Sequence, residues 1–159
     1  MYNNFLSFLR EKPQAIACIK GGNDYPEING KVYFYQKRCG VLVVTEVCNL
    51  PKGKGKCDNG IFAFHIHSGS ECKGDDFPES GTHFNPAECL HPYHAGDMPP
   101  LFNCNGYAFS AFFTDRFNVK DVLDKVVIIH SGPDDFTTQP SGNPGEKIAC
   151  GKIIKTLQR

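Results

Sequence analysis

The sequence predicts an all-β protein, an antiparallel β-sandwich or barrel, from three observations. Runs of β-branched and aromatic residues recur along the chain, which is typical of strands. Clusters of glycine and proline separate the runs, and the 159 residues include 16 glycines and 11 prolines. The length suits one domain with a core of its own, and no apolar segment is long enough to cross a bilayer. Periodicity alone leaves other all-β folds open.

Seven runs predict strands in chain order. The first three are 15–20, which carries two isoleucines, 31–36, rich in tyrosine and phenylalanine, and 41–47, with four valines. The next is 61–67, in which aromatic and aliphatic residues precede two histidines, followed by the phenylalanine-rich run 107–113. The last two are 126–130 and 148–154, dominated by valine and isoleucine. Long loops are predicted at 68–105 and 131–146, and loops on a rigid sheet often carry function.

All six histidines fall into one pattern. His65 and His67 lie two residues apart in a predicted strand, so they point to the same face and can bind one ion. His83, His91 and His94 follow in a predicted loop, and Asp97 comes three residues later. Three imidazoles and one carboxylate form a plausible tetrahedral zinc set. His130 ends a later predicted strand.

Several short sequence motifs contain these histidines or follow them in the chain. They are Phe64-His65-Ile66-His67, Gly81-Thr82-His83-Phe84-Asn85-Pro86, His94-Ala95-Gly96-Asp97, Ile129-His130, Gly142-Asn143-Pro144-Gly145 and Ala149-Cys150-Gly151. In this order and at these spacings they resemble the copper,zinc superoxide dismutase family, over roughly residues 31–154. The resemblance implies a Greek-key β-barrel of about eight antiparallel strands with long metal-binding loops, formed by a single domain over 1–159.

The resemblance implies two metal ions and a ligand set for each. It assigns copper to His65, His67, His83 and His130, and zinc to His83, His91, His94 and Asp97. His83 would then bridge the two ions as a catalytic group. When copper is reduced, the freed ring nitrogen of His83 can take a proton, while zinc holds the other nitrogen. The implied reaction converts superoxide to dioxygen and hydrogen peroxide as copper alternates between two oxidation states.

The chain departs from the family at Lys147, where the family carries an arginine. Lysine keeps the positive charge but lacks the planar set of donors, so it should attract a small anion while positioning it less firmly. We therefore expect Lys147 to be catalytic, and dismutation to be slower than diffusion-limited. The resemblance also assigns to Asp134 a link between His65 and His91. Read without the resemblance, Asp134 is an ordinary turn former in a loop.

The eight cysteines would allow about 105 complete pairings. The resemblance selects one disulfide bond, between Cys72 and Cys150. Cys89 and Cys104 flank the second set of histidines and could form another disulfide, which we prefer, or compete as zinc ligands. Cys18, Cys39 and Cys48 are expected to be small buried apolar residues, and Cys57 is unassigned.

The 17 basic residues balance the 17 acidic ones, so the chain has no net formal charge that would create a strong electrostatic field. No nucleic-acid or membrane partner is expected, and Lys52, Lys54 and Lys56 are interpreted as a solvated turn. Residues 1–12 form an extension that is a short packed helix, a partner-binding segment or a frayed start, and we favour packing. The aromatic content permits a homodimer but suits the core equally well.

The amino terminus lacks the pattern of a secretory leader, because Arg10, Glu11 and Lys12 interrupt its apolar residues. The chain as written therefore predicts a cytoplasmic protein, or a secreted one if a leader has been removed. The competing functional hypothesis is a non-catalytic metal-binding protein of the same fold, stabilised by zinc with copper absent or inert. The missing arginine and the many thiols favour that alternative, and the complete ligand set favours the enzyme.

Overall fold

The computed structural model describes residues 11–53 and 60–157. These residues form eight β-strands, one short α-helix and one 3₁₀ turn. The strands are β1 (Ala15–Gly21), β2 (Asn29–Lys37), β3 (Gly40–Cys48), β4 (Ile61–His67), β5 (Asp97–Phe102), β6 (Ala108–Thr114), β7 (Val126–His130) and β8 (Lys147–Lys155). The helix α1 spans Val119–Val122, and the 3₁₀ turn spans Pro78–Ser80.

Every strand pairs antiparallel with its neighbours in a single sheet. The spatial order is β5, β4, β7, β8, β1, β2, β3, β6. The two end strands, β5 and β6, approach each other, so the sheet curls into a nearly closed barrel. The prediction of an all-β barrel is confirmed, and each of the seven predicted runs overlaps a strand. The order places β4 beside β7, which brings the histidines of these two strands together.

The prediction that 68–105 is an uninterrupted loop was wrong, because β5 lies within it. Pro99 and Pro100 sit in the middle of this strand and obscure its pattern in the sequence. Proline cannot donate a hydrogen bond to a neighbouring strand, so it is tolerated only where one side of the strand is unpaired. β5 meets this condition at the end of the strand order. Its first residue, Asp97, lies opposite His65 of β4.

The core fills the barrel interior and supports the strands that carry histidines. All five residues of β7 are buried, as are the last six of the seven residues of β4. The large side chains that are almost completely inaccessible to solvent include Phe34, Phe64, Ile66, Leu101 and Ile129. Phe64, Ile66 and Ile129 alternate with histidines along β4 and β7. One face of each strand therefore packs in the core while the other carries the histidines.

A disulfide bond joins Cys72 to Cys150, with 5.6 Å between their Cα atoms, as the resemblance implied. It ties the loop after β4 to the middle of β8. Cys150 is buried with Phe77, Val126 and Ile128 in a small apolar cluster against which Cys72 packs. The bond therefore anchors the chain segment between Cys72 and His83 at its first residue.

The preferred second disulfide bond was wrong. Cys89 and Cys104 are both free and exposed to solvent. The expectation that Cys18, Cys39 and Cys48 are buried was also wrong, since Cys18 and Cys39 are exposed and Cys48 is partly exposed. Cys18 occupies an outward-facing position on β1, Cys39 lies in the turn between β2 and β3, and Cys48 ends β3. These positions are not covered by a neighbouring element.

Some predicted features lie outside the described residues. Cys57, Lys54, Lys56 and most of the 1–12 extension fall there, whereas Lys52 is described and is exposed. Within the described ranges, no helix is both long and apolar enough to cross a membrane.

Candidate metal centre

The first group of potential metal ligands consists of His65, His67, His83 and His130. Each offers one ring nitrogen, these nitrogens lie within 4.8 Å of one another, and all four residues are buried. His65 and His67 project from the same face of β4, as their spacing predicted. His130 ends the neighbouring strand β7, and its Nε2 is 3.3 Å from Nε2 of His67. His83 joins from the loop, where it forms a backbone bridge with His67.

The second group consists of His83, His91, His94 and Asp97, whose ligand atoms also lie within 4.8 Å of one another. Nδ1 of His83 is 2.7 Å from Asp97 Oδ1 and 3.3 Å from Nδ1 of His94. Nδ1 of His91 is 3.0 Å from Asp97 Oδ2. That pair does not form a hydrogen bond, and His91 Nδ1 is buried without a partner among the described residues. The loop segment and the start of β5 therefore converge on one small volume.

Asp134 connects the two groups. Its Oδ2 accepts a hydrogen bond from His65 Nε2 at 2.8 Å, and its Oδ1 accepts one from His91 Nε2 at 2.8 Å. Oδ1 also accepts the backbone N–H of Phe136 at 2.7 Å. In a neutral ring that donates through Nε2, Nδ1 carries no proton and is free to coordinate a metal. Asp134 thus occupies the linking position that the resemblance assigned to it.

Two more histidines are oriented by backbone carbonyls. His67 Nδ1 donates to the carbonyl of Gly81 at 2.9 Å, and His130 Nδ1 donates to that of Gly145 at 3.3 Å. Each ring is thereby fixed with Nε2 facing the first group. Carbonyl and carboxylate partners of this kind set the tautomer and orientation of metal-binding histidines.

The buried ring nitrogens show that the two groups fit metal ions. His65 Nδ1, His83 Nε2 and His91 Nδ1 are buried and have no hydrogen-bond partner in the described part of the chain. An unpartnered buried polar atom costs roughly 1–3 kcal/mol. Metal coordination removes that cost, because it supplies each lone pair with a partner. Imidazole nitrogens suit copper, and three imidazoles with one carboxylate suit zinc.

His83 is the residue that the two groups share. Its Nε2 belongs to the first group and is unpartnered, while its Nδ1 belongs to the second and approaches Asp97. A single imidazole can bind two ions only as the fully deprotonated ring, which two adjacent cations stabilise. His83 is therefore the residue that would be shared if each group held a metal ion.

Burial favours the neutral form of three histidines in the first group, His65, His67 and His130, and the neutral ring is the form that coordinates metals. Burial lowers the pKa of His67 to about 2, although the hydrogen bond to the Gly81 carbonyl opposes this. It lowers the pKa of His130 to about 3, and it also lowers the pKa of His65. Burial alone would raise the pKa of Asp134, but its hydrogen bonds, led by that from His65, hold the pKa at about 2. The carboxylate therefore stays charged.

A cavity of about 530 Å³ opens over the first group. His67, His83 and His130 line it, and Lys147 lies in its wall. Lys147 begins β8 and pairs directly with His130 across the strands, where the register shifts by a bulge. Burial lowers the pKa of the Lys147 ammonium, and the nearby Asp76 carboxylate opposes that change. The register thus explains why a lysine distant in sequence borders the histidines.

Gln139 is a contact that sequence reasoning missed. Its Oε1 accepts the backbone N–H of His91 at 3.0 Å, and its Nε2 donates to the His91 carbonyl at 2.8 Å. The amide therefore pairs with the backbone of His91 as a strand would. Gly142 packs closely against Asp134. A Cβ at position 142 would lie 2.0 Å from Asp134 Oδ1 and would collide with it. The loop after β7 is thereby closed onto the second group.

Arg116 braces the same loop from the opposite side. Its Nη1 donates to the carbonyls of Pro92, His94 and Asp97 at 3.1, 3.3 and 3.3 Å. Three carbonyls converging on one cation fix the backbone that carries two members of the second group. No residue pattern predicts this contact, since the three acceptors are backbone carbonyls, which every residue has.

A β-barrel with two adjacent groups of potential metal ligands around one shared imidazole has the ligands for two metal ions. The model of the copper/zinc superoxide dismutase family matches residues 28–153. A copper-zinc superoxide dismutase of Aquifex aeolicus is 36% identical over 146 residues, covering 82% of this chain and 83% of the relative. One from Legionella pneumophila is 32% identical over 136 residues, covering 80% and 79%.

A solved structure is similar as well. The crystal structure of a double mutant of a superoxide dismutase-like protein from Bacillus subtilis superposes with a TM-score of 0.72 at 26% identity, covering 87% of this chain and 96% of that one. The chain belongs to the copper/zinc superoxide dismutase family. The predicted family and oxidoreductase class are thereby confirmed, with copper and zinc as the metals that the family implies.

Proposed function

We propose that this protein dismutes superoxide, with copper bound by the first group and zinc bound by the second. The observation that carries the proposal is His83, whose two ring nitrogens face two separate and complete ligand groups. Bound copper would supply one-electron redox chemistry, by which two superoxide ions and two protons yield one dioxygen and one hydrogen peroxide. A protein that only binds zinc would have no need for four converging imidazoles in the first group.

The chain's own residues would hold and orient the reacting parts. His65, His67 and His130 bind as neutral rings, each kept in place by Asp134 or a backbone carbonyl. His83 Nε2 faces the first group without a hydrogen-bond partner, so it would be the ring atom available for a proton whenever no metal ion held it. Its Nδ1 stays with the second group, so the ring cannot swing away. Zinc has no redox chemistry and would keep this arrangement intact.

Substrate would enter through the cavity over the first group. Superoxide is a small anion, and Lys147 places a positive charge in the cavity wall. The whole chain has no net formal charge, so attraction must come from such local groups. We propose that Lys147 draws the anion toward the histidines, in the position where the family carries an arginine.

The proposed function is tested by metal content and rate together. After reconstitution with copper and zinc, we expect about one equivalent of each metal per chain, with superoxide dismutation measured by pulse radiolysis. Zinc binding without bound copper or dismutation would contradict the proposal and favour the non-catalytic alternative.

Lys147→Arg should raise kcat/KM by about threefold at low ionic strength, because the planar guanidinium presents several donors to the anion. The measurement is the dismutation rate of the metal-loaded protein against ionic strength. Lys152→Arg is the matched control, since Lys152 lies on the same strand but approaches Glu71 at 3.5 Å instead of the cavity. No gain for Lys147→Arg, or an equal gain for the control, would contradict the anion-guiding role.

A further inference from the structure

Ser80 carries a buried hydroxyl that contacts Lys147. The residue is 0% exposed and ends the 3₁₀ turn between Cys72 and His83. Lys147 Nζ donates to Ser80 Oγ at 2.8 Å and to the carbonyl of Phe77 at 3.4 Å. The ammonium has three N–H donors. Two of them are thus used by the turn, and no third acceptor is found for Nζ among the described residues.

The turn that presents these acceptors is itself rigidly held. Ser80 N–H donates to the Phe77 carbonyl at 3.0 Å, and the Ser80 carbonyl accepts the N–H of Gly69 at 2.7 Å. The loop after β4 and the 3₁₀ turn approach so closely that a Cβ on Gly69 would lie 2.0 Å from the carbonyl oxygen of Glu79. Phe77 is buried against Cys150, next to the disulfide bond. Ser80 Oγ therefore has little freedom to move.

The same segment also orients the first group. Gly81 follows Ser80 and accepts the Nδ1–H of His67 at 2.9 Å. His83 follows two residues later. The same short segment therefore contacts both Lys147 and His67, so a displacement of the turn would disturb both contacts.

A lysine in this position needs such an acceptor more than an arginine would. Its charge sits at the end of a flexible four-carbon stem, and ordering that stem costs rotamer entropy. A hydrogen bond from a charged donor is roughly twice as strong as one between neutral groups. The buried hydroxyl can therefore hold the ammonium in one position, leaving one N–H for an anion in the cavity.

We propose that Ser80 is a positioning residue, whose hydroxyl holds the Lys147 ammonium in the cavity wall so that it guides the anionic substrate. The inference rests on the proposed function, since guidance matters only if superoxide reacts at the first group. Ser80 would affect the reaction only through its contact with Lys147.

The test is a double-mutant cycle with Ser80→Ala, Lys147→Met and the double variant, all loaded with copper and zinc. Lys147→Met should lower kcat/KM about tenfold at low ionic strength, and Ser80→Ala about threefold. The double variant should be no slower than Lys147→Met, because Ser80 acts through the lysine. Affinity for azide, read from the copper absorption spectrum, should fall in the same order. Ser110→Ala, on β6, controls for a general effect of removing a hydroxyl.

A second readout does not depend on activity. In the zinc-loaded protein, Ser80→Ala should lower the NMR order parameter of the Lys147 side chain while leaving that of Lys152 unchanged. An unchanged order parameter, or losses of rate that add in the double variant, would overturn the inference. A wild-type protein without dismutation would overturn the proposed function alone, since a mobile Lys147 in Ser80→Ala would still support the positioning contact.

Discussion

Replacing His130 by alanine is expected to abolish dismutation while zinc remains bound. His130 belongs to the first group alone, and its ring is fixed by the carbonyl of Gly145. Its removal leaves three imidazoles around the copper position and does not touch the second group. Changing a partner behind a metal ligand typically costs 10–100-fold in metal affinity or activity. Loss of the ligand itself should therefore lower the dismutation rate by more than about 100-fold.

The matched variant is His94→Ala, because His94 belongs to the second group alone. It should lose zinc first and retain copper. Both metals are measured per chain by mass spectrometry of the purified proteins, alongside the dismutation rate. Full copper and activity in the His130 variant, or loss of zinc in preference to copper, would contradict the assignment of His130 to the copper position.

The strand and histidine patterns were predictable because they depend on local rules. The two-residue spacing of His65 and His67 places both on one face of β4, and the structure places them there. The hydrogen bonds that Asp134 accepts from His65 and His91 were implied only by the resemblance, since an aspartate in a glycine-rich loop is usually a turn former. Asp134 and His65 are 69 positions apart in the sequence, so no local sequence pattern predicts the hydrogen bond between them.

Other features were hidden because they depend on tertiary position. β5 carries Pro99 and Pro100, which argue against a strand until the strand is known to lie at the end of the sheet order. The exposure of Cys89 likewise depends on what covers its loop, not on the residue type. The contact of Ser80 with Lys147 spans 67 positions and follows from the register of β8 against β7.

Asp134→Asn is expected to weaken copper binding more than zinc binding. The carboxylate accepts hydrogen bonds through both oxygens, whereas an amide can accept through only one. Oδ1 receives two donors, the N–H of Phe136 and Nε2 of His91, and Oδ2 receives His65 Nε2 alone. The amide oxygen should therefore keep the Oδ1 position, and the amide nitrogen should face the Nε2–H of His65.

Two donors cannot share that contact, so His65 must turn away or move its proton to Nδ1. Nδ1 is the nitrogen that faces the first group, and a proton there blocks coordination. We expect copper affinity to fall by about 10–100-fold, with a smaller loss for zinc because His91 keeps its partner. Competition with a chelator, followed separately for each metal, measures the two losses.

Asp135→Asn provides the matched control next in sequence. Asp135 accepts hydrogen bonds from the backbone and side chains of Thr137 and Thr138, within its own loop, and an asparagine Oδ1 can still accept the two backbone bonds. Both metals should therefore stay bound with little change. Equal losses of copper and zinc in Asp134→Asn would contradict the expected orientation of the amide, whereas equal losses in the two variants would show that loop charge, and not the link between His65 and His91, holds the metals.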